Sequence, residues 1–125
     1  MDRKRVIYLF AGETSGDDRG AELVLALKTL DPTLTLIGVA GPKMRELGVH
    51  GTLEMEDFQV MGFIDVIAAL PRLIRLFRKV KQEILAIDPA AVIFIDYPGF
   101  NLRMAKALFK LGHTAKRIHY ICPSV

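Results

Sequence analysis

Five consecutive apolar residues, Val6-Ile7-Tyr8-Leu9-Phe10, run straight into Ala11-Gly12-Glu13-Thr14-Ser15-Gly16-Asp17, and a helical pattern follows. An apolar run ended by a glycine-bearing turn reads as a strand. A strand that passes through such a turn into a helix is the opening half of a β-α-β unit, and these units build parallel sheets. In open α/β sheets, ligands sit beyond the carboxyl ends of the strands. The turn after the first strand is therefore a candidate site. Gly12 and Gly16 permit close backbone approach. Thr14, Ser15 and the amides of the following helix suit an anionic or hydroxyl-rich group. The run lacks the Gly-Lys-Ser/Thr of a P-loop and the G-x-G-x-x-G of dinucleotide binding. Capping explains the same residues equally well: Ser15 stands three residues before Asp18 in an imperfect capping box, and acidic side chains in a first turn suit the helix dipole.

The alternation continues along the chain. Residues 18–30 read as a helix with Ala21, Val24, Leu27 and Leu30 on one face. Asp31-Pro32 stops it, since proline cannot continue a helix. Residues 34–40 read as a second strand, and Gly41-Pro42 leads into a short helix ending near Gly48. Residues 49–60 look irregular, with room for one short strand. A helical region spans about residues 61–87, with a break expected at Pro71 and an end at Asp88-Pro89. Ala91-Val92-Ile93-Phe94-Ile95 is a continuous apolar run, the pattern of a strand covered on both faces. Residues 100–111 are helical again, with Leu102, Ala105, Leu108 and Phe109 inward and Gly112 closing the helix. Residues 117–122 form a last strand. The expected fold is α/β: a mostly parallel sheet with helices on both faces.

At 125 residues the chain is one domain's worth. A net charge of +3 does not by itself imply nucleic acid, and no RNA-recognition, helix-turn-helix or OB signature is present. Cys122, the one cysteine, has no internal partner and lies in an apolar stretch, which fits a buried thiol. No stretch reaches the ~20 apolar residues that span a bilayer. His50, His113 and His119 lack metal-ligand spacing, so no metal is expected.

Three further stretches bear on chemistry. Asp96 directly follows the buried run 91–95, at the same sheet edge as Glu13 and Asp17, so two strands deliver carboxylates to one rim. A carboxylate partly shielded from water has a raised pKa and serves as a general base. Capping of the helix after Pro98, or fixing of the Tyr97-Pro98-Gly99 turn, is the structural alternative, and spacing alone favours it. The stretch Pro71–Lys81 places apolar residues 73, 74, 77 and 80 on one face and Arg72, Arg75 and Lys79 elsewhere. Such a helix packs on a sheet with its charges solvated, and its basic flank suits an anionic membrane surface. Val60-Met61-Gly62-Phe63-Ile64 is apolar and glycine-containing, suited to an acyl chain or to ordinary core.

Five segments together carry a resemblance: residues 11–17 with Gly20-Ala21; Val39-Ala40-Gly41-Pro42-Lys43-Met44; Val60-Met61-Gly62-Phe63; Ile95-Asp96-Tyr97-Pro98-Gly99-Phe100-Asn101; and His119-Tyr120-Ile121-Cys122-Pro123-Ser124-Val125. In this order and spacing the chain resembles the lipid-A-disaccharide synthases over nearly its whole length. The resemblance implies an inverting glycosyltransferase of two Rossmann-like domains, the GT-B arrangement. It would join UDP-2,3-diacylglucosamine to 2,3-diacylglucosamine 1-phosphate (lipid X), releasing UDP, at the cytoplasmic face of a Gram-negative inner membrane.

On this resemblance, residues 1–125 form the N-terminal, acceptor-side Rossmann-like domain, incomplete, and the C-terminal UDP-sugar-binding domain is absent from the chain. Asp96 matches the family's candidate base and Glu13 its second carboxylate. Gly12, Ser15, Gly16, Asp17, Met61, Gly62, Asn101, Arg72 and Arg75 are the candidate substrate contacts. Relatives commonly carry an acidic residue where Gly99 stands. No cofactor is expected. The expected partners are the UDP-diacylglucosamine donor, the lipid X acceptor and an anionic membrane surface, with a homo-oligomer left open and nucleic acid excluded. Two other classes compete. One is a non-catalytic α/β module that binds a ligand or a membrane. The other is a phosphoacceptor domain, disfavoured because no lysine follows the last strand.

Overall fold

The computed structural model describes residues 5–58, 70–95 and 116–120. Its strands β1 (Val6–Ala11), β2 (Thr35–Val39), β3 (Ala91–Ile95) and β4 (Lys116–Tyr120) lie in one sheet in the order β2-β1-β3-β4. Each neighbouring pair is parallel. The helices are α1 (Thr14–Leu30), α2 (Pro42–Glu46) and α3 (Leu70–Ile87), with a 3-10 turn at Met55–Phe58. The α/β reading of the sequence therefore holds. The helical expectations for residues 61–69 and 100–112 lie outside the described residues, as does Cys122.

The apolar runs are central strands because both of their faces are covered. Successive side chains of a strand point to opposite faces. Tyr8, Phe10, Val92 and Phe94 join Leu76, Val80 and Ile84 of α3 and Phe58 in one core cluster. Leu9, Ala11, Ile93 and Ile95 join Val24 of α1 and Met44 of α2 in the other. Phe10 meets Phe58 edge to face, with ring centroids 5.0 Å apart. This is a favoured aromatic geometry, contributing about 1 kcal/mol beyond area burial.

Boundaries and faces differ from the sequence expectation at several points. α1 begins at Thr14, before residue 18, with Glu13 as an extended N-cap. Ser15 therefore lies inside the first turn and is not the cap. Gly16 and Gly20 sit within this helix because they are packing positions. A Cβ at Gly16 would lie 3.2 Å from the Ile95 carbonyl oxygen, and one at Gly20 would press into Met44. Leu30 was expected inward but is 82% exposed, since the last turn of α1 runs past the core. On α3 the buried stripe is Leu76, Val80 and Ile84, spaced by four, with Phe77 and Ile87 beside it. Ile74, expected on the packing face, is exposed. Apolar residues occupy so much of this helix that periodicity alone does not choose the stripe. Pro71 is the second residue of the described helix, which runs on without a break from there to Ile87.

The connections are held by local chemistry. Asp31 accepts the Thr33 N–H at 3.0 Å across Pro32 and pairs with Arg5 at 3.1 Å. Thr33 and Arg5 together hold its carboxyl below the ordinary aspartate range. Asp88 follows α3 in a left-handed conformation (φ 52), and its N–H donates to the Ile84 carbonyl at 2.8 Å. Aspartate tolerates this conformation better than most residues. In the segment 49–58 the short strand contact is a single parallel bridge between Ile37 and His50. Two side chains tie that segment down. Tyr8, fully buried, donates its hydroxyl to Glu83 Oε1 at 2.7 Å, while Glu83 Oε2 accepts the Thr52 N–H at 2.8 Å. Burial, and then the Glu83 carboxylate, push the Tyr8 phenol well above its usual pKa, so it stays a donor at neutral pH. Arg45 forks onto both oxygens of Glu56 at 2.8 and 2.7 Å, reaches Glu54 at 3.2 Å and donates to the Ala40 carbonyl at 2.6 Å.

Candidate functional site

The order of the strands locates the site. From β1 the chain passes through α1 to β2 on one side, then returns through α3 to β3 on the other side of β1. The reversal opens a crevice between the carboxyl ends of β1 and β3, where open α/β sheets bind ligands. The last pair in that register is Ala11 with Ile95. The next residues along the chain are Gly12 and Asp96. The carboxylates of the sequence reading stand two residues beyond Ala11 and one beyond Ile95 in the sequence, at Glu13 and Asp96.

Each described candidate has a definite place. Gly12 is buried, and Glu13 and Ser15 are exposed at the head of α1. Glu13 makes no side-chain capping bond, so its carboxylate is not consumed by its own helix. The 17-residue α1 directs its positive end toward the crevice. Gly16 seats the first turn against the ends of both strands, 3.2 Å from the Ile95 carbonyl oxygen and 3.6 Å from Ala11 Cβ, measured from an added Cβ. Asp17 is turned away from the solvent at 2% exposure. Its Oδ2 accepts the Lys43 N–H at 2.9 Å and its Oδ1 the Met44 N–H at 3.0 Å. The structure thus gives Gly16 and Asp17 work inside the fold, which the sequence reading assigned to substrate contact.

Arg72 and Arg75 are exposed on α3. Going from Glu83, which meets Tyr8, to Arg72, which donates to the Asp57 carbonyl beside Phe58, α3 climbs toward the carboxyl end of β1, where Phe58 meets Phe10. Arg72 therefore stands at the level of the rim, on the sheet face opposite α1. Asp96, Met61, Gly62 and Asn101 lie outside the described residues.

A cavity of about 250 Å³ lies on the β2 side of the same edge, with Arg45, His50 and Thr52 in its wall. Its one guanidinium is already taken by Glu54 and Glu56, which leaves it little charge for an anionic ligand. Among the described residues no helix is long and apolar enough to cross a membrane.

The fold is that of a doubly wound α/β domain whose strand order reverses between β1 and β3, the point at which open α/β sheets bind ligands. The sequence profile of the lipid-A-disaccharide synthetases matches residues 7–125, and the chain belongs to that family. It is 48% identical over 118 residues to a lipid-A-disaccharide synthase of Chlamydia pneumoniae, a match covering 94% of this chain and 20% of the relative. A Chlamydia abortus relative of the same description is 41% identical over 94% of this chain and 19% of its own length. A Gluconobacter oxydans relative, also a lipid-A-disaccharide synthase, is 41% identical over 97% of this chain and 29% of its own length. The chain spans less than a third of each.

Proposed function

We propose that this chain is the N-terminal, acceptor-side portion of an inverting glycosyltransferase of GT-B arrangement. The reaction joins UDP-2,3-diacylglucosamine to lipid X and gives a β-1,6-linked lipid A disaccharide phosphate and UDP. One observation carries the reading: in a member of this family, the sheet order reverses between β1 and β3, the two strands that Glu13 and Asp96 follow in the sequence. A second domain, outside this chain, would hold most of the UDP-sugar.

In the reaction, Asp96 takes the proton from the acceptor's 6-hydroxyl as that oxygen attacks the anomeric carbon of the donor. The bond from that carbon to the UDP oxygen breaks on the opposite face, so configuration inverts in a single displacement without a covalent enzyme intermediate. Glu13 accepts a hydrogen bond from an acceptor hydroxyl at the head of α1. Gly12 and Ser15 lie beside it and contact the sugar by backbone and hydroxyl. Asn101 stands five residues after Asp96 in the sequence and would contact the acceptor, and Met61-Gly62 belongs to the apolar segment that would meet an acyl chain. Arg72 and Arg75, exposed near the rim, suit the acceptor's phosphate or the anionic lipid around it. That placement supports a peripheral position on the cytoplasmic face of the inner membrane.

The test is a chimaera in which this chain replaces the matching segment of the Gluconobacter oxydans relative. Incubated with both substrates, it is expected to release UDP and form the disaccharide phosphate. A chimaera that unfolds cooperatively but makes no product, beside an active unsubstituted host, would point to the non-catalytic binding module.

A further inference from the structure

α2 begins without a cap of its own. Its N-cap residue is Gly41, which has no side chain to offer, and Pro42 follows at the first helical position. Gly41 does not need to be glycine for its backbone: φ −88 and ψ −175 suit any residue. The space is the reason. A Cβ at Gly41 would lie 2.6 Å from Asp17 Oδ2 and 2.8 Å from Asp17 Cβ, far inside contact distance. Asp17 fills the volume of the missing side chain and does its work, taking the N–H groups of Lys43 and Met44 at 2.9 and 3.0 Å. These are the second and third helical positions, the donors that a capping side chain satisfies. The neighbouring Asp18 pairs with Lys43 Nζ at 2.7 Å across the same junction.

We propose that Asp17 is a positioning residue: it caps α2 from α1 in place of Gly41 and so clamps the first turn of α1, with Glu13 at its head, against the crevice. One turn of α1 is then fastened on two sides, by Asp17 to α2 and by the close approach of Gly16 to Ile95. The clamp is read from the fold alone, whereas its effect on turnover rests on the function proposed above.

The cap has a reciprocal signature. Asp17→Ala leaves two donors without their acceptor, and Gly41→Ser alone drives a side chain into the Asp17 carboxylate. Paired with Asp17→Gly, which also removes the Cβ that would lie 2.8 Å from the new one, Gly41→Ser places a serine, a favoured N-cap, in the space the aspartate vacates. In the chimaera Asp17→Ala and Gly41→Ser are each expected to lower Tm by about 5–10 °C, Asp17→Gly by about 4 °C more than Asp17→Ala, and the pair to regain at least about 5 °C over Asp17→Gly alone. Asp17→Ala is expected to lower kcat about tenfold or more through misplacement of Glu13. KM for lipid X should stay within about twofold, because Asp17 touches no substrate. The double variant should regain kcat to within about threefold of the parent.

If Asp17→Ala alone does not fold, a folded double variant supports the clamp, and Asp17→Asn, which keeps one acceptor oxygen, serves as the single variant for kinetics. A double variant that stays as unstable as Asp17→Gly alone overturns the cap. One that regains Tm while kcat stays low or KM rises assigns Asp17 to the substrate instead. An inactive parent chimaera would remove the proposed function while leaving the stability comparison to decide the cap.

Discussion

Asp96→Asn in the chimaera is expected to lower kcat by about 10²–10⁴-fold, the usual contribution of a positioned general base. Asparagine matches the size of aspartate but cannot take the proton of the attacking hydroxyl. The change should therefore appear mainly in kcat, with KM for lipid X little altered and the thermal transition close to that of the parent. The position makes this specific. Asp96 directly follows Ile95, which pairs with Ala11 at the end of the β1–β3 register, and the Glu13 loop leaves from the partner strand. Steady-state kinetics with varied lipid X, together with a melting curve, separate the outcomes. Near-parental kcat removes Asp96 from the chemistry. A lost thermal transition would return it to the structural role of capping the turn that follows.

Gly38→Ala is expected to be the most damaging single substitution for folding among the described glycines. Gly38 has φ +144, a conformation that L side chains rarely adopt. An added Cβ would overlap the Leu9 carbonyl oxygen and lie 2.8 Å from the Leu9 nitrogen. Leu9 is its partner on β1, so the obstruction is backbone in the middle of the β1–β2 pairing and cannot turn aside. On the other side the Gly38 N–H donates to the His50 carbonyl at 3.1 Å, so the strand has little room to shift outward. Strain and overlap together place the cost at about 4 kcal/mol or more, the range of exceptional point mutants. A domain stable by roughly 5–15 kcal/mol has little reserve against that. The expected result is loss of soluble protein or a fall in Tm of about 15 °C or more. A transition within about 3 °C of the parent would show that β2 accommodates the methyl group, against the geometry described.

The central strands were legible because burial on both faces leaves a plain mark, five apolar residues in a row. The same runs set which residues come next along the chain, Gly12 and Glu13 after β1 and Asp96 after β3. The packing face of α3 was not legible, because Ile74 is as apolar as Leu76 and only contact with the sheet distinguishes them. The bonds of Asp17 inside the fold were hidden for a different reason. Its partners are 26 and 27 residues away, and a carboxylate in a glycine-rich turn looks the same whether it faces a ligand or another helix. Gly41 and Gly38 carry no local sign that their side chains are excluded by Asp17 and Leu9. The start of α1 moved to Thr14 because Gly16, read as a turn glycine, is a packing glycine within the helix. Of the candidate contacts, Met61, Gly62 and Asn101 rest on the resemblance alone.

The claim at the centre of this account is that the crevice between β1 and β3 receives the acceptor. The most direct measurement is photocross-linking of the chimaera with a lipid X analogue carrying a diazirine on the sugar, followed by mass spectrometry of the labelled peptides. The account predicts label in peptides containing residues 12–15 or 96–101, suppressed by unmodified lipid X. Label confined to the host's own segments, with competition by lipid X intact, would contradict it.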